Sequence, residues 1–213
     1  MLGGMLAMHS DNKGLVIPPK MASKKIVIIP LLFKGKEKKV LEKAEKLKKE
    51  LKKFNPILDD SPDYSPGYKF SEYELKGIPL RIEIGPRDLE NNAVMIKTRI
   101  GKEKISIPIS ELKKEIPKIL DNMQKELYKN AQKILKENTK KTEDKLELIK
   151  FIKEKQLVKV PLKDSGEIEE KLKHETNGAK VLFIDHQGES AKGKKCLISK
   201  EPADYWVYVG KTY

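Results

Sequence analysis

Cysteine is almost absent from this chain. Cys196 is the single one among 213 residues, so no disulfide can form within the chain, and a cytosolic setting is the simpler expectation. Histidine is nearly as scarce. His9, His174 and His186 stand far apart, with no HExxH and no paired CxxC, so the usual sequence patterns of a zinc site are missing. No P-loop, GxGxxG or GxSxG motif occurs, and residues 24–213 show no catalytic apparatus. No apolar run approaches the roughly 20 residues needed to cross a bilayer. The first segment, MLGGMLAMHSDNKGLVIPP, lacks the basic start of a secretory signal. Its glycines and polar turn read instead as the broken edge of a folded domain.

What the chain has in quantity is charge. Charged residues make up 36% of it, apolar residues 38%, and the formal net charge is +13, supplied mostly by lysine. A basic excess of this size favours a polyanionic partner without choosing between RNA, DNA and anionic lipid. Lysine and glutamate enrichment is also a habit of proteins from hot environments.

Hydrophobic periodicity divides the chain. Residues 1–17 read as two short strands around a turn at Asn12-Lys13-Gly14, a piece that needs a partner to be stable. KIVIIP (25–30) reads as a central strand with apolar residues on both faces. A helix follows over 36–54, with Val40, Ala44, Leu47, Leu51 and Phe54 on one stripe, then a short strand at 56–59. Residues 60–69 form a turn-rich loop, and 70–77 a short helix ended by Gly77. PLRIEI (79–84) alternates, Leu80, Ile82 and Ile84 on one face and Arg81 and Glu83 on the other. Strands at 93–99 and 104–109 lead into a long helix from about 110, which Pro117 is expected to kink or to start. The first domain, 24–136, is thus an α/β domain with a mixed sheet of about five strands.

A smaller α+β domain, 140–213, is expected to hold a helix over 142–155 and a strand at 157–161. A helix capped by Asp164 and Glu167 follows, then strands at 179–185 and 203–213.

Two stretches carry chemistry. The helix 36–54 is either an RNA-facing basic surface or a solvated face laced with Glu–Lys pairs. In 60–90, Arg81, Glu83, Arg87 and Asp88 lie near Tyr64, Tyr68, Lys69 and Phe70. Arginine suits phosphate or a guanine edge, a carboxylate accepts from base N–H groups, and tyrosines stack on unpaired bases. The competing reading is an Arg–Glu lattice that holds the GPRD turn.

The stretch DDSPDYSPGYKFSEYELKGIPLRIEIGPRDLENNAV (59–94) resembles prolyl-tRNA synthetases of the archaeal/eukaryotic type. The start of the chain is similar to that family's passage out of class II motif 3, and KVPLKDSGEIEEKLKHETNGAKVLFI and the final YWVYVGKTY to its C-terminal domain. The resemblance implies an anticodon-binding domain at 24–136, a C-terminal domain at 140–213, and the tail of a catalytic domain at 1–20.

It further implies a cytoplasmic, homodimeric parent enzyme that activates proline with ATP and transfers it to tRNA-Pro. Gly3, Gly4 and His9 match its proline and adenylate pocket, but motifs 1 and 2 and the motif 3 arginine are absent, so isolated catalysis is not expected. Partners are then tRNA-Pro and the parent's catalytic domain, with no membrane and no cofactor bound by this chain. Glu83 and Arg87 are expected to read the two anticodon guanines, with Asp88 in the adjoining turn and Lys69, Phe70 and Arg81 nearby. Ser61 and Pro62 replace the family's usual Arg and Asp. Many relatives hold zinc through four cysteines. The matching positions are Lys163, Ile168, Cys196 and Ser199, so zinc is expected to be absent. Tyr213 matches a tail residue that folds toward the active site. A freestanding RNA-binding or assembly module and a truncated synthetase are both compatible with this pattern.

Overall fold

A computed structural model describes residues 2–186 and 188–212, in two compact units with their boundary between Ala131 and Gln132. The first unit is a five-stranded mixed sheet of order β2-β1-β3-β4-β5. Its strands are β1 (Ile26–Pro30), β2 (Ile57–Leu58), β3 (Leu80–Ile84), β4 (Ala93–Thr98) and β5 (Ile105–Pro108). β1 runs parallel to both β2 and β3, while β3–β4 and β4–β5 are antiparallel. The helices are α1 (Leu2–His9), α2 (Glu37–Glu50), α3 (Pro66–Leu75), α4 (Pro86–Glu90) and α5 (Leu112–Glu137).

The main core lies on one face of this sheet. Ile26, Ile28, Leu80, Ile82, Ile84, Val94 and Ile96 pack with Val40, Ala44, Leu47 and Leu51 of the α2 region and with Leu112, Ile116 and Leu120 of α5. The alternation of β3 survives, yet all five of its residues are buried. α3 lies against β1 on the sheet's other side, where Val27 and Ile29 pair with Arg81 and Glu83. β1 therefore has parallel neighbours on both sides, reached through α2 and α3. This is the switch-point arrangement that opens a crevice at strand carboxyl ends.

Three local expectations change. Leu2–His9 is a helix, not a strand: an unpaired strand would leave its N–H and C=O groups without partners, and a helix satisfies them internally. α3 begins at Pro66, inside the stretch that reads as loop, because Ser65 caps it by accepting from the Tyr68 N–H and Pro66 presets the first helical φ. It ends in a Schellman motif, Gly77 (φ 72°) donating to Glu74 O and Ile78 to Tyr73 O. α5 starts at Leu112, so Pro117 lies inside the helix and does not mark its start.

Arg99 ties the segment after α1 to this unit. Its buried guanidinium makes a two-pronged pair with Asp11 at 2.9 and 2.6 Å, and its Nε donates to the Leu15 and Glu74 carbonyls. These bonds hold the Asp11 carboxyl down at about 2, from 3.8. A depressed carboxyl stabilises the fold above its unfolded value, and that contribution is lost as pH falls through the folded one. Urea midpoints are therefore expected to fall between about pH 4 and pH 2, and Asp11→Asn should flatten that part of the profile. An unchanged slope would remove Asp11 from the account.

The second unit holds a four-stranded sheet of order β6-β7-β9-β8: β6 (Thr139–Lys141), β7 (Leu157–Leu162), β8 (Lys180–Ile184) and β9 (Tyr205–Gly210). β6 is an addition to the strands expected from sequence. Helices α6 (Lys145–Lys153) and α7 (Gly166–Glu175) bring Leu148, Ile152, Ile168 and Leu172 to a core with Val158, Val160, Val207 and Val209. The capping box expected from Asp164 and Glu167 does not form. Ser165 is the N-cap, with no side-chain cap bond, and the Asp164 N–H is taken by Asp204.

Candidate nucleic-acid interface

The residues singled out between 60 and 90 fall into two neighbourhoods around β3. On the α3 side of the sheet, Arg81 and Glu83 are two positions apart on β3 and both buried. Arg81 Nε donates to Glu83 Oε1 at 3.0 Å, Lys104 donates to Glu83 Oε2 at 2.6 Å, and the Arg81 guanidinium lies 4.0 Å from the Phe70 ring centroid. An Arg–Glu pairing is thus present, but the GPRD turn that such a lattice would hold is fixed instead by the Gly85 N–H donating to Asp88. Glu83 has both oxygens engaged and is 2% exposed, so its immediate role is to orient Arg81 and Lys104.

Glu74, on the facing side of α3, stands at the rim of this cluster, 4.0 Å from Arg81 and 3.7 Å from Lys97. Sequence reasoning misses Glu74, Lys97 and Lys104 because each lies on a different element from Arg81. The one available signal is the spacing of Phe70 and Glu74, which puts both on one face of a helix.

Lys69 faces inward. Its ammonium bonds the carbonyls of Asp59 and Ser61 and pairs with the Asp59 carboxylate at 2.8 Å, stitching the loop before α3 to the helix. Burial and the same Asp59 carboxylate push the Tyr73 phenol up to about 12. Tyr64 and Tyr68 are exposed and stack on each other, 4.5 Å between centroids.

The second neighbourhood is the crevice at the carboxyl ends of β1 and β3. It holds about 560 Å³ and is lined by Leu31, Phe33, Lys34, Lys36, Gly85, Pro86, Arg87 and Asp88. Gly85 and Pro86 open α4, and Asp88 reaches back to accept from the Gly85 N–H at 2.8 Å. That bond fixes the turn which presents Arg87, an exposed residue. Phe33 is 60% exposed. The crevice therefore combines an exposed aromatic ring, a guanidinium, a carboxylate and two lysines. Arginine can donate in pairs to O6 and N7 of guanine, and a carboxylate can accept from its N1 and N2.

Gly3 and Gly4 lie on α1 with open space where a Cβ would stand, and His9 ends that helix half-buried. Tyr213 lies outside the described residues.

The four positions matched to the zinc cysteines do not fit that ion. Ile168 is in the hydrophobic core, and Lys163 is paired to Glu201 at 2.8 Å. Cys196 is buried. Burial opposes its ionisation, but N–H and O–H donation from Ser199 and N–H donation from Lys163 and Ile198 outweigh it and hold the thiol below its ordinary value. Among the described residues no group of three His, Cys, Asp or Glu side chains could hold a metal. Metal analysis of the purified protein should find far less than one zinc per chain; stoichiometric zinc would overturn this reading.

The chain resembles known proteins over its whole length. Residues 25–119 match the model of an anticodon binding domain, and residues 146–213 that of the prolyl-tRNA synthetase C-terminal domain. Proline–tRNA ligase 2 of Bacillus cereus is 36% identical over 214 residues. The proline–tRNA ligases of Alkaliphilus oremlandii and Methanobrevibacter smithii are 38% and 37% identical. Each alignment takes in all of this chain but only 44–45% of the relative, so the chain spans somewhat under half the length of these proteins. The chain thus matches an anticodon binding domain followed by a prolyl-tRNA synthetase C-terminal domain, and over the same span it is similar to the corresponding part of proline–tRNA ligases.

Proposed function

We propose that this chain binds tRNA-Pro and reads its anticodon, as the recognition half of a proline–tRNA ligase. The observation that carries the reading is a repeated composition in the two neighbourhoods around β3. The crevice holds Arg87, Asp88 and Phe33. The α3 face holds Arg81, Glu74 and Phe70. Each set brings together a guanidinium, a carboxylate and an aromatic ring, side-chain types suited to guanine, and the anticodon of tRNA-Pro carries two guanines.

In this reading Arg87 donates to O6 and N7 of one guanine, Asp88 accepts from its N1 and N2, and Phe33 stacks on its face. Lys34 and Lys36 meet the adjoining phosphates. At the second set Glu74 and Lys97 are the reachable groups, and Arg81 is held in place by Glu83 and Phe70. Glu83, expected from sequence to touch a base, acts here by positioning Arg81. Lys69 likewise acts by holding the 59–61 loop.

Proline activation with ATP and transfer to tRNA belong, in this proposal, to a parent protein that carries the remaining catalytic segments; Gly3, Gly4 and His9 would join that pocket only there. The test is a filter-binding titration of tRNA-Pro transcripts in which each anticodon guanine is singly replaced by adenine. Each replacement is expected to weaken binding by about 10-fold or more, from 1–3 kcal/mol per two-pronged interaction. If only one replacement matters, one of the two sets is wrongly assigned.

A further inference from the structure

α2 differs from the other long helix in how it treats its charges. Residues 34–53 hold ten lysines and four glutamates, and sequence alone leaves open whether these are neutralised in pairs. On α5 three pairs form: Lys118–Glu115, Lys125–Asp121 and Lys133–Glu137 lie at 2.7, 2.6 and 3.8 Å. Within α2, among the described residues, one pair is found, Lys48–Glu45 at 3.9 Å, and just before the helix Lys36 pairs with Glu90 at 3.0 Å. Val40, Ala44 and Leu47 bury one stripe of the helix, so Lys38, Lys39, Lys46 and Lys49 project on the other side, with Glu42 and Glu50 among them, and Lys43 flanks the stripe half-buried.

This face is continuous with the crevice. Lys34 and Lys36 line it, and Lys36, Lys38 and Lys39 line an adjoining hollow of about 640 Å³ that shares Pro86. From there the 14-residue helix runs about 21 Å at 1.5 Å per residue. A base held in the crevice thus leaves its flanking backbone within reach of a row of cations.

We propose that the lysine face of α2 is a second RNA-binding surface, which carries the sugar–phosphate backbone leading away from the base in the crevice. It rests on the anticodon-reading role proposed above and adds a sequence-independent, salt-sensitive component to it. Lysine is suited to this work: it binds phosphate as a point charge and reads no sequence.

The test is the triple variant Lys39→Gln, Lys46→Gln, Lys49→Gln of the full chain. Glutamine has nearly the helix propensity of lysine, so α2 is retained, and circular dichroism checks that it is. Binding of a tRNA-Pro transcript is measured between about 50 and 200 mM salt. The slope of log affinity against log salt is expected to become shallower by about two to three, close to one for each phosphate no longer neutralised. The preference for the anticodon guanines should persist.

An unchanged slope with the guanine preference intact would overturn this inference alone. A shallower slope in a chain with no guanine preference would instead sink anticodon reading and leave the lysine face as a general RNA-binding surface. Flotation with phosphatidylserine vesicles is the control. Vesicle binding abolished by the triple variant, with RNA binding unaltered, would assign the face to membranes and overturn the proposal.

Discussion

Replacing Glu83 by alanine is expected to lower the stability of the first unit by about 3–5 kcal/mol, a loss set by the charge it abandons. Arg81 is buried beneath α3, with its Nε on Glu83 Oε1. Without the carboxylate the guanidinium keeps its desolvation cost and has Glu74 only at 4.0 Å. The Lys104 interaction adds little, since that lysine is 41% exposed and regains water. Glu83→Gln keeps an acceptor for Arg81 and is expected to cost about 1–2 kcal/mol. Urea titration followed by far-UV circular dichroism measures both. Trp206, the single tryptophan, lies in the second unit, so its fluorescence reports that unit separately. An alanine variant within about 1 kcal/mol of the unaltered protein would show that Arg81 does not depend on Glu83.

Arg87→Ala is expected to do the reverse, leaving stability nearly unchanged and removing recognition. Arg87 is exposed, and the α4 turn is fixed by the bond from Gly85 N–H to Asp88. Truncation therefore abandons no buried partner, and a stability change within about 0.5 kcal/mol is expected. Removing a two-pronged guanine interaction costs about 1–3 kcal/mol of discrimination, or roughly 10- to 100-fold in affinity. The effect should fall on tRNA-Pro and much less on a transcript in which the corresponding guanine is already replaced. Equal weakening of both would mean that Arg87 contributes only charge. Arg87→Lys separates these cases, because lysine keeps the charge and lacks the fork.

The contrast between these two residues also marks what the sequence can and cannot reveal. Both stand in the same short motif, and both are expected from sequence to face RNA. Four strands of the first unit are legible because each is a β-branched run or an alternation. The two-residue β2 is legible only from its place after a helix in a strand–helix–strand order. Val40, Ala44 and Leu47 recur at helical spacing. Alternation in β3 correctly separates Arg81 and Glu83 from Ile82 and Ile84. It cannot say that α3 covers the charged side, because that depends on a helix whose start at Ser65-Pro66 lies inside what reads as loop.

Lys69 escapes sequence reading for a related reason. Lysine is ordinarily exposed, and its burial here is set by the carbonyls of Asp59 and Ser61, which only tertiary structure brings to it. Glu74 signals itself only by its helical spacing from Phe70, because it pairs with Arg81 and Lys97 across elements, a relation invisible along the chain. α1 reads as a strand because apolar residues and two glycines fit either state, and the decision falls to backbone hydrogen bonding. The replacement of the zinc positions, by contrast, is readable one residue at a time.

The most direct test of the central claim compares the chain's affinity for a tRNA-Pro transcript with its affinity for the same transcript after both anticodon guanines are replaced, at near-physiological salt. Tighter binding of the unaltered transcript, by about 100-fold or more for two guanine interactions, is the predicted result. Equal affinities would contradict anticodon reading and leave only the attraction of a basic protein for a polyanion.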